Sequence, residues 1–379
     1  MTDPFVLVRR GWQRFTAPID GILMAILAAL LIGAYVAMMS ASPERLPAHN
    51  INLAIGLAVM WVVANVPPQR MQMFALPLYI IGVLLLVAVE LFGEISKGAQ
   101  RWLDLGFIRM QPSEIMKIAM PLMLAWYFQK REGALKFRDF LVATALLAAP
   151  VGLIAAQPDL GTSLLVTAAG IFVIYFGGLS WKLIAPVMLL GVALIAGIVA
   201  YEKQICADGV EWPGLREYQK HRVCMLLDPS SDPRGKGFHT IQSTIAVGSG
   251  GIIGKGWQQG TQTHLDFLPE RHTDFILAVL SEEFGLLGVI VLLVLYCLLI
   301  GRGLMIALTA SSLFSRLLAG ALTMNFFTYA FVNMGMVSGV LPVVGVPLPL
   351  VSYGGTALVT LCLGMGILMS VQRHRKRVS

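Results

Sequence analysis

Apolar segments long enough to cross a bilayer recur along this chain from Gly21 to Ser370. A transmembrane helix needs about 20 such residues. Ten spans fit the sequence, at residues 20–40, 51–66, 71–91, 112–128, 140–156, 162–178, 183–201, 275–300, 317–337 and 352–371. Because 57% of the residues are hydrophobic and only 13% are charged, we predict an all-α polytopic membrane protein with about ten transmembrane helices.

The distribution of basic residues predicts how these spans are oriented. Lys and Arg gather in the N-terminal arm, in the loops predicted to lie inside and in the cluster from Arg373 to Arg377. The short outside loops hold only Arg45, Lys97, Arg101 and Arg109. Since basic flanks stay cytoplasmic, we predict a multi-pass protein of the cytoplasmic (inner) membrane with both termini inside. The net charge of +7 then reflects contact with anionic membrane lipids and not with nucleic acid.

Two outside segments stand out within what we predict to be a single membrane domain, residues 1–379. The first, residues 92–110, carries Arg101 and Trp102. The second is a large extracytoplasmic loop, residues 202–273, between spans 7 and 8. Its aromatic residues argue against disorder, since disordered chains are poor in aromatics. Cys206 and Cys224 lie in this loop, and their spacing allows a disulfide without establishing it.

A charge-dense run meets an apolar helix at Asp274, which directly precedes Phe275. Two interpretations are open. The carboxylate can be a helix N-terminal acid favoured by the helix dipole. It can equally be a general base held at the membrane surface.

Ionisable residues inside the apolar spans give the strongest indication of function, because each costs at least about 2.5 kcal/mol at the bilayer centre. Glu114 and Lys117 are three residues apart, so they share one helix face and can neutralise each other. They form either a structural pair or the lining of a cavity. Asp159, in a turn between two spans, requires a partner, and for Glu282 and Glu283 we favour hydrogen bonding within the protein.

Glycine and proline mark two irregular segments. The run GVLPVVGVPLPLVSYGGT, residues 339–356, cannot form a regular helix and should be buried in protein or line a cavity. The glycine-rich run at residues 234–257 lacks the spacing of a P-loop. A looser anion-binding role that includes Lys255 and a flexible lid are both open.

The histidines show no metal-ligand spacing, so we predict no zinc site. A divalent cation, Mg²⁺ or Mn²⁺, held by carboxylates and a pyrophosphate stays open as a cofactor.

Several ordered motifs resemble the SEDS (shape, elongation, division and sporulation) family over nearly the whole chain, and within it the branch that acts in cell elongation. The motifs are RWLDLG at 101–106, QPSEIMK at 111–117, QPDLGTS at 157–163, IQS at 241–243, GSGGIIGKGW at 248–257, FLPERHTDFI at 267–276, EEFG at 282–285 and GVPLPLVSYGG at 345–355.

The resemblance implies a peptidoglycan glycosyltransferase that polymerises lipid II at the outer membrane face, maintains rod shape with the elongation machinery and works with a class B penicillin-binding protein. It implies that Asp274 is the essential acid. It maps the family's cavity and first-loop positions onto Glu114, Lys117, Asp159 and Trp102. We add Arg101, Arg222 and Lys255 as candidate substrate-binding residues because of their positive charge. Positive charge for the departing pyrophosphate would come from Arg101, Lys117 and Arg222. The alternative is a lipid II flippase, for which a site near the bilayer midplane is expected.

Overall fold

Every predicted span forms a helix in the computed structural model, which describes residues 16–96, 99–104, 106, 109–133, 135–207, 210, 212, 217–228, 236–265 and 270–375. The long helices are α1 (Gly21–Ala41), α2 (Leu46–Ala64), α3 (Pro68–Phe92), α4 (Pro112–Lys130), α5 (Phe137–Ala156), α6 (Leu160–Phe176) and α7 (Trp181–Ala200). The large loop adds α8 (Glu202–Ile205), α9 (Glu217–Leu227), α10 (Lys236–Ser249) and α11 (Thr261–His264). The chain continues through α12 (Ile276–Leu308), α13 (Leu313–Val337) and α14 (Gly355–Arg373).

The predicted fold class is confirmed. Within the described residues, eight helices are long and apolar enough to cross a membrane: α1, α2 with the 3₁₀ turn Pro43–Arg45 before it, α3, α5, α7, α12, α13 and α14. The apolar helix α6 is shorter. Helix α4 lies inside the bundle against α3, α6 and α13, with most of its residues buried. Because protein surrounds α4 in place of lipid, it accommodates charged side chains.

A small antiparallel sheet at residues 94–110 was not predicted. Strands β1 (Glu94–Ser96), β2 (Ala99–Asp104) and β3 (Arg109–Met110) pair in that order. Strands this short carry too few residues for an alternating pattern to be recognised. The sheet places Arg101 and Trp102 of β2 beside the start of α4.

Helix α12 extends beyond its predicted end at residue 300, past a partly buried charge pair. Nη2 of Arg302 lies 2.5 Å from Oδ2 of Asp20. The other carboxylate oxygen of Asp20 caps α1 by accepting from Leu23 N at 2.8 Å. Because Arg302 is paired with Asp20, the helix continues past this residue, although the charge of Arg302 alone suggested that the span ends before it.

The same helix is kinked at Gly285, where φ is 61° and ψ is −160°. The glycine-rich loop, residues 250–256, packs backbone to backbone against this kink. Lys255 N donates to Glu282 O at 3.0 Å, and Leu286 N donates to Gly251 O at 2.9 Å. A Cβ at Gly254 would lie 2.1 Å from Glu283 O. Close backbone approach therefore accounts for Gly250 and Gly254 of this loop. The anion-binding role and the lid stay predictions.

Helix α7 is exposed along its length, with no residue of its apolar window buried in the described structure. Within the large loop that follows α7, Cys206 and Cys224 form a disulfide. The pairing that their spacing left open thus links the end of α8 to α9.

Candidate active site

Asp274 lies two residues before the first residue of α12, on a segment held by groups that lie far away in the sequence. The carbonyl oxygens of three consecutive residues accept hydrogen bonds here. His272 O accepts from Tyr353 N at 2.8 Å. Thr273 O accepts from Ser352 Oγ at 2.5 Å, and Asp274 O accepts from Asn333 Nδ2 at 2.8 Å.

The irregular segment between α13 and α14 lies against Asp274. Its glycines and prolines predicted a segment that is buried in protein or lines a cavity. Gly345 adopts a positive φ of 75°. A Cβ built at this position would lie 3.6 Å from Oδ2 of Asp274. The carboxylate of Asp274 is therefore next to the backbone of this loop.

A polar cavity of about 270 Å³ lies on one side of this segment. Five of the residues singled out in the sequence line it together: Arg101, Trp102, Glu114, Lys117 and Asp159. Thr273, Gly345, Tyr353 and Gly355 complete the wall nearest to Asp274. We call this space the polar cavity.

Asp159 has the partners that its position required. One oxygen accepts from Gln111 Nε2 at 2.8 Å, and the other accepts from Thr162 N at 3.2 Å, which caps α6. Nη1 of Arg101 lies 3.9 Å from the same carboxylate. Gln111 was missed as a site residue because an uncharged side chain beside a proline gives no distinctive signal.

Glu114 and Lys117 form the ion pair that their spacing predicted. Lys117 Nζ donates to Glu114 Oε1 at 2.6 Å, and the two residues are only 2% and 9% exposed. Thr360 Oγ1 donates to the other oxygen of Glu114 at 3.3 Å. The ammonium also lies 5.1 Å from the ring centre of Tyr329, a favourable cation–π distance. The pair links α4 to α13 and α14 while it lines the polar cavity.

A second cavity, of about 460 Å³, opens beside Asp274. Its lining includes Met225, Leu226, His239, Glu270, Thr273 and Asp274. We call it the Asp274 cavity. Burial lowers the pKa of His239, and Glu270 opposes this effect. Because Thr273 lines both cavities, they adjoin at the residue before Asp274.

The sequence matches one family model over residues 20–377, that of the cell cycle proteins FtsW, RodA and SpoVE. The chain belongs to the SEDS family. It is 52% identical over 365 residues to the peptidoglycan glycosyltransferase MrdB of Escherichia coli K12, covering 95% of each chain.

Two solved structures resemble the fold over most of the chain. One, described as the structural coordination of polymerization and crosslinking by a peptidoglycan synthase complex, has a TM-score of 0.77 at 34% identity. The other is the rod shape determining protein RodA of Thermus thermophilus, with a TM-score of 0.69 at 29% identity. Each comparison covers 94% of this chain and 98% of the other. The resemblance to the elongation branch is thus confirmed.

One other sequence-predicted residue of this SEDS protein, Lys255, lies elsewhere. Lys255 Nζ donates to Glu282 Oε1 at 2.7 Å, away from the residues that line either cavity. Glu282 also accepts from Gln262 N at 3.1 Å, and Glu283 accepts from Ser40 Oγ. Both carboxylates are therefore hydrogen-bonded within the protein, as expected. The Arg222 side chain lies outside the described residues.

A metal centre is not formed by protein side chains alone in the described part of the chain, where no group of three or more His, Cys, Asp or Glu side chains is placed to hold a metal ion. Asp274 and Glu270 both line the Asp274 cavity. A divalent cation held by carboxylates and a pyrophosphate stays a prediction.

Proposed function

We propose that this chain polymerises lipid II into glycan strands at the outer face of the cytoplasmic membrane, for cell elongation and rod-shape maintenance. The peptidoglycan glycosyltransferase activity follows from 52% identity, over 95% of both chains, to a protein of that name. The observation that carries the proposed mechanism is that Asp274 lines one cavity while its Oδ2 lies 3.6 Å from a Cβ built at Gly345, which lines the other, and that Thr273 lines both.

Asp274 acts in this proposal as the general base. It removes the proton from the 4-hydroxyl of the acceptor N-acetylglucosamine, whose oxygen then attacks C1 of the donor N-acetylmuramic acid. The bond from C1 to the pyrophosphate breaks, and undecaprenyl pyrophosphate leaves. A carboxylate between two sugar-sized spaces can reach a hydroxyl in one and face a reacting carbon in the other.

The polar cavity suits the pyrophosphate of the donor. It holds the cationic side chains of Arg101 and Lys117. It also lies at the first turns of α4, α6 and α14, where backbone N–H groups and the helix dipole favour anions. These charges would stabilise the departing pyrophosphate, with or without Mg²⁺ or Mn²⁺. The Asp274 cavity then receives the acceptor.

Orientation and partners belong to the same proposal. The basic flanks place both termini in the cytoplasm and the large loop outside. A disulfide in that loop agrees with an oxidising compartment. A class B penicillin-binding protein would crosslink the strands, and a solved relative is described as part of a complex that coordinates polymerization and crosslinking.

The flippase alternative is less well supported by the placement of charge. Glu114, Asp159 and Asp274 all lie at or near the starts of helices, on the same side of the bundle. Alternating access requires a site near the bilayer midplane.

The test is polymerisation of lipid II by purified Asp274→Asn protein. We expect the rate to fall by about 10²- to 10⁴-fold, the usual contribution of a general base, with the protein still folded. Glu44→Gln is the matched control, because Glu44 is an exposed carboxylate that lines neither cavity. Parental activity in Asp274→Asn would exclude Asp274 as the base. A parallel series with a chelator tests the cation.

A further inference from the structure

We infer that Asn333 is a positioning residue for Asp274, an inference that rests on the proposed role of Asp274 as the base. Asn333 lies on α13 and has no exposed surface. Its Nδ2 donates two hydrogen bonds, to Asp274 O and to Val346 O, each at 2.8 Å. One amide group thereby holds the segment that carries the carboxylate and the loop that walls the polar cavity.

The contact reaches the main chain of Asp274. Asn333 donates to the peptide carbonyl, so it sets where the side chain of Asp274 starts without occupying the carboxylate oxygens. Ser352 acts on the preceding residue in the same way: its hydroxyl donates to Thr273 O at 2.5 Å and accepts from Leu348 N at 2.8 Å. Two neighbouring peptide units before α12 are therefore held by side chains from across the site.

The chemistry of the position requires an amide. A side-chain NH₂ group offers two donors from one atom, and both are used here. A serine hydroxyl offers one donor, and an ionised aspartate offers none. Leucine would fill a similar volume but would leave two buried carbonyl oxygens facing an apolar side chain. The segment would then shift to find partners, since an unsatisfied buried acceptor is costly.

A shift of this kind should reduce turnover more than binding. A misplacement of about 1 Å at a reacting group can cost about 10²-fold in rate. Among the described residues of the polar cavity's wall, Asn333 bonds only the backbone, at Val346 O. The hydrogen bonds of the described charged side chains that line this cavity go to other groups: these side chains are Arg101, Glu114, Lys117 and Asp159. We therefore expect Asn333→Leu to lower kcat for lipid II polymerisation by about 10²-fold and to change KM by less than about 3-fold.

The matched control is Thr323→Val on the same helix. Thr323 is also fully buried, but its hydroxyl donates only to Ala319 O of its own helix, at 2.8 Å. We expect this variant to keep both kcat and KM. Ser352→Ala provides a second test from a different element, with kcat lowered and KM retained, in case Asn333→Leu does not fold.

The outcomes separate this inference from the proposed function. If Asp274→Asn is inactive while Asn333→Leu and Ser352→Ala turn over at the parental kcat, the positioning role is wrong and the function stands. A rise in KM at unchanged kcat also overturns it, because that result indicates a binding role. If Asp274→Asn itself keeps its activity, the proposed base and the positioning role both fail.

Discussion

Lys117 is a cation inside the bundle, 2% exposed and bonded to Glu114 on the same helix. Removing one member of such a pair leaves the other charge buried without compensation. Removing both leaves an ordinary polar or apolar contact. The pair can thus be tested separately for its contribution to stability and to activity.

We predict that Lys117→Met lowers the free energy of unfolding by about 3–5 kcal/mol, the usual effect of breaking a buried pair. The double variant Glu114→Gln/Lys117→Met should recover most of that loss, because no uncompensated charge is left. It should still polymerise lipid II poorly, since the cavity has lost a cation. Thermal unfolding in detergent and the polymerisation rate measure the two effects. A double variant with parental activity would reduce the pair to a structural role.

Two histidines near Asp274 make stability depend on pH. The pKa of His272 is lowered by burial and by Arg45, and that of His239 is lowered by burial. An unfolded histidine titrates near pH 6.5. Below that value the unfolded chain binds more protons than the folded chain, so stability falls as the pH falls.

We therefore predict that the midpoint of thermal unfolding decreases as the pH is lowered from neutrality through about 6.5. In His239→Gln the decrease should be smaller, because one of the two groups no longer titrates. Scanning fluorimetry in detergent measures both. An equal pH dependence in the two proteins would show that His239 does not contribute.

At the scale of elements, α12 depends on the glycine at its kink. Gly285 has a positive φ, and a Cβ there would lie 2.3 Å from Gly254 N. The glycine-rich loop packs against the kink through backbone hydrogen bonds, and the same loop places the Lys255 side chain next to Glu282. The helix and the loop therefore form one packed unit.

Gly285→Ala should destabilise the protein by at least about 1–3 kcal/mol, the cost of a positive-φ conformation that is essentially restricted to glycine, with the steric clash in addition. Gly301→Ala on the same helix is the control. No atom lies within 4 Å of the Cβ built at Gly301. Alanine there should be neutral or stabilising by up to about 1 kcal/mol. Equal thermal stability of the two variants would argue against a required kink.

Element boundaries show where sequence reasoning reached its limit. The apolar segments located the ten long helices of the described residues, because a helix that contacts lipid or packs inside the bundle needs apolar length. The end of α12 was placed too early, since Arg302 is compensated by Asp20, which lies 282 residues away in the sequence. The glycine-rich loop was interpreted through its own residues, whereas its conformation is set by the backbone of α12. Pairings between distant segments leave no local pattern.

At the scale of the whole molecule, the sequence predicted correctly which charged residues need partners. It predicted less well which residues surround them. Glu114, Lys117 and Asp159 were singled out because charge inside an apolar span is costly, and they line one cavity with Arg101 and Trp102. Lys255 was grouped with them by charge alone, yet it bonds Glu282 in another part of the fold. In the sequence, Asn333 is only a polar residue within an apolar span. Its two carbonyl partners became evident in the three-dimensional structure.

The proposed orientation can be tested on the intact molecule. In a background of Cys297→Ala and Cys362→Ala, the described cysteines that remain are joined in the disulfide. We predict that Gln259→Cys, on the exposed surface of the large loop, reacts with a membrane-impermeant maleimide on intact spheroplasts. Glu132→Cys, in the exposed turn after α4, should react only after permeabilisation. The reverse pattern would place the site on the cytoplasmic side.

The disulfide also bears on how this enzyme is handled outside the cell. Cys224 directly precedes Met225 and Leu226, which line the Asp274 cavity, and its partner Cys206 ends the short chain that follows α7. None of the described side chains in the apolar window of α7 is buried. A thiol such as dithiothreitol in a purification buffer would cut this covalent connection between α8 and the helix that carries Met225 and Leu226. Preparations made with and without reductant are thus chemically different enzymes.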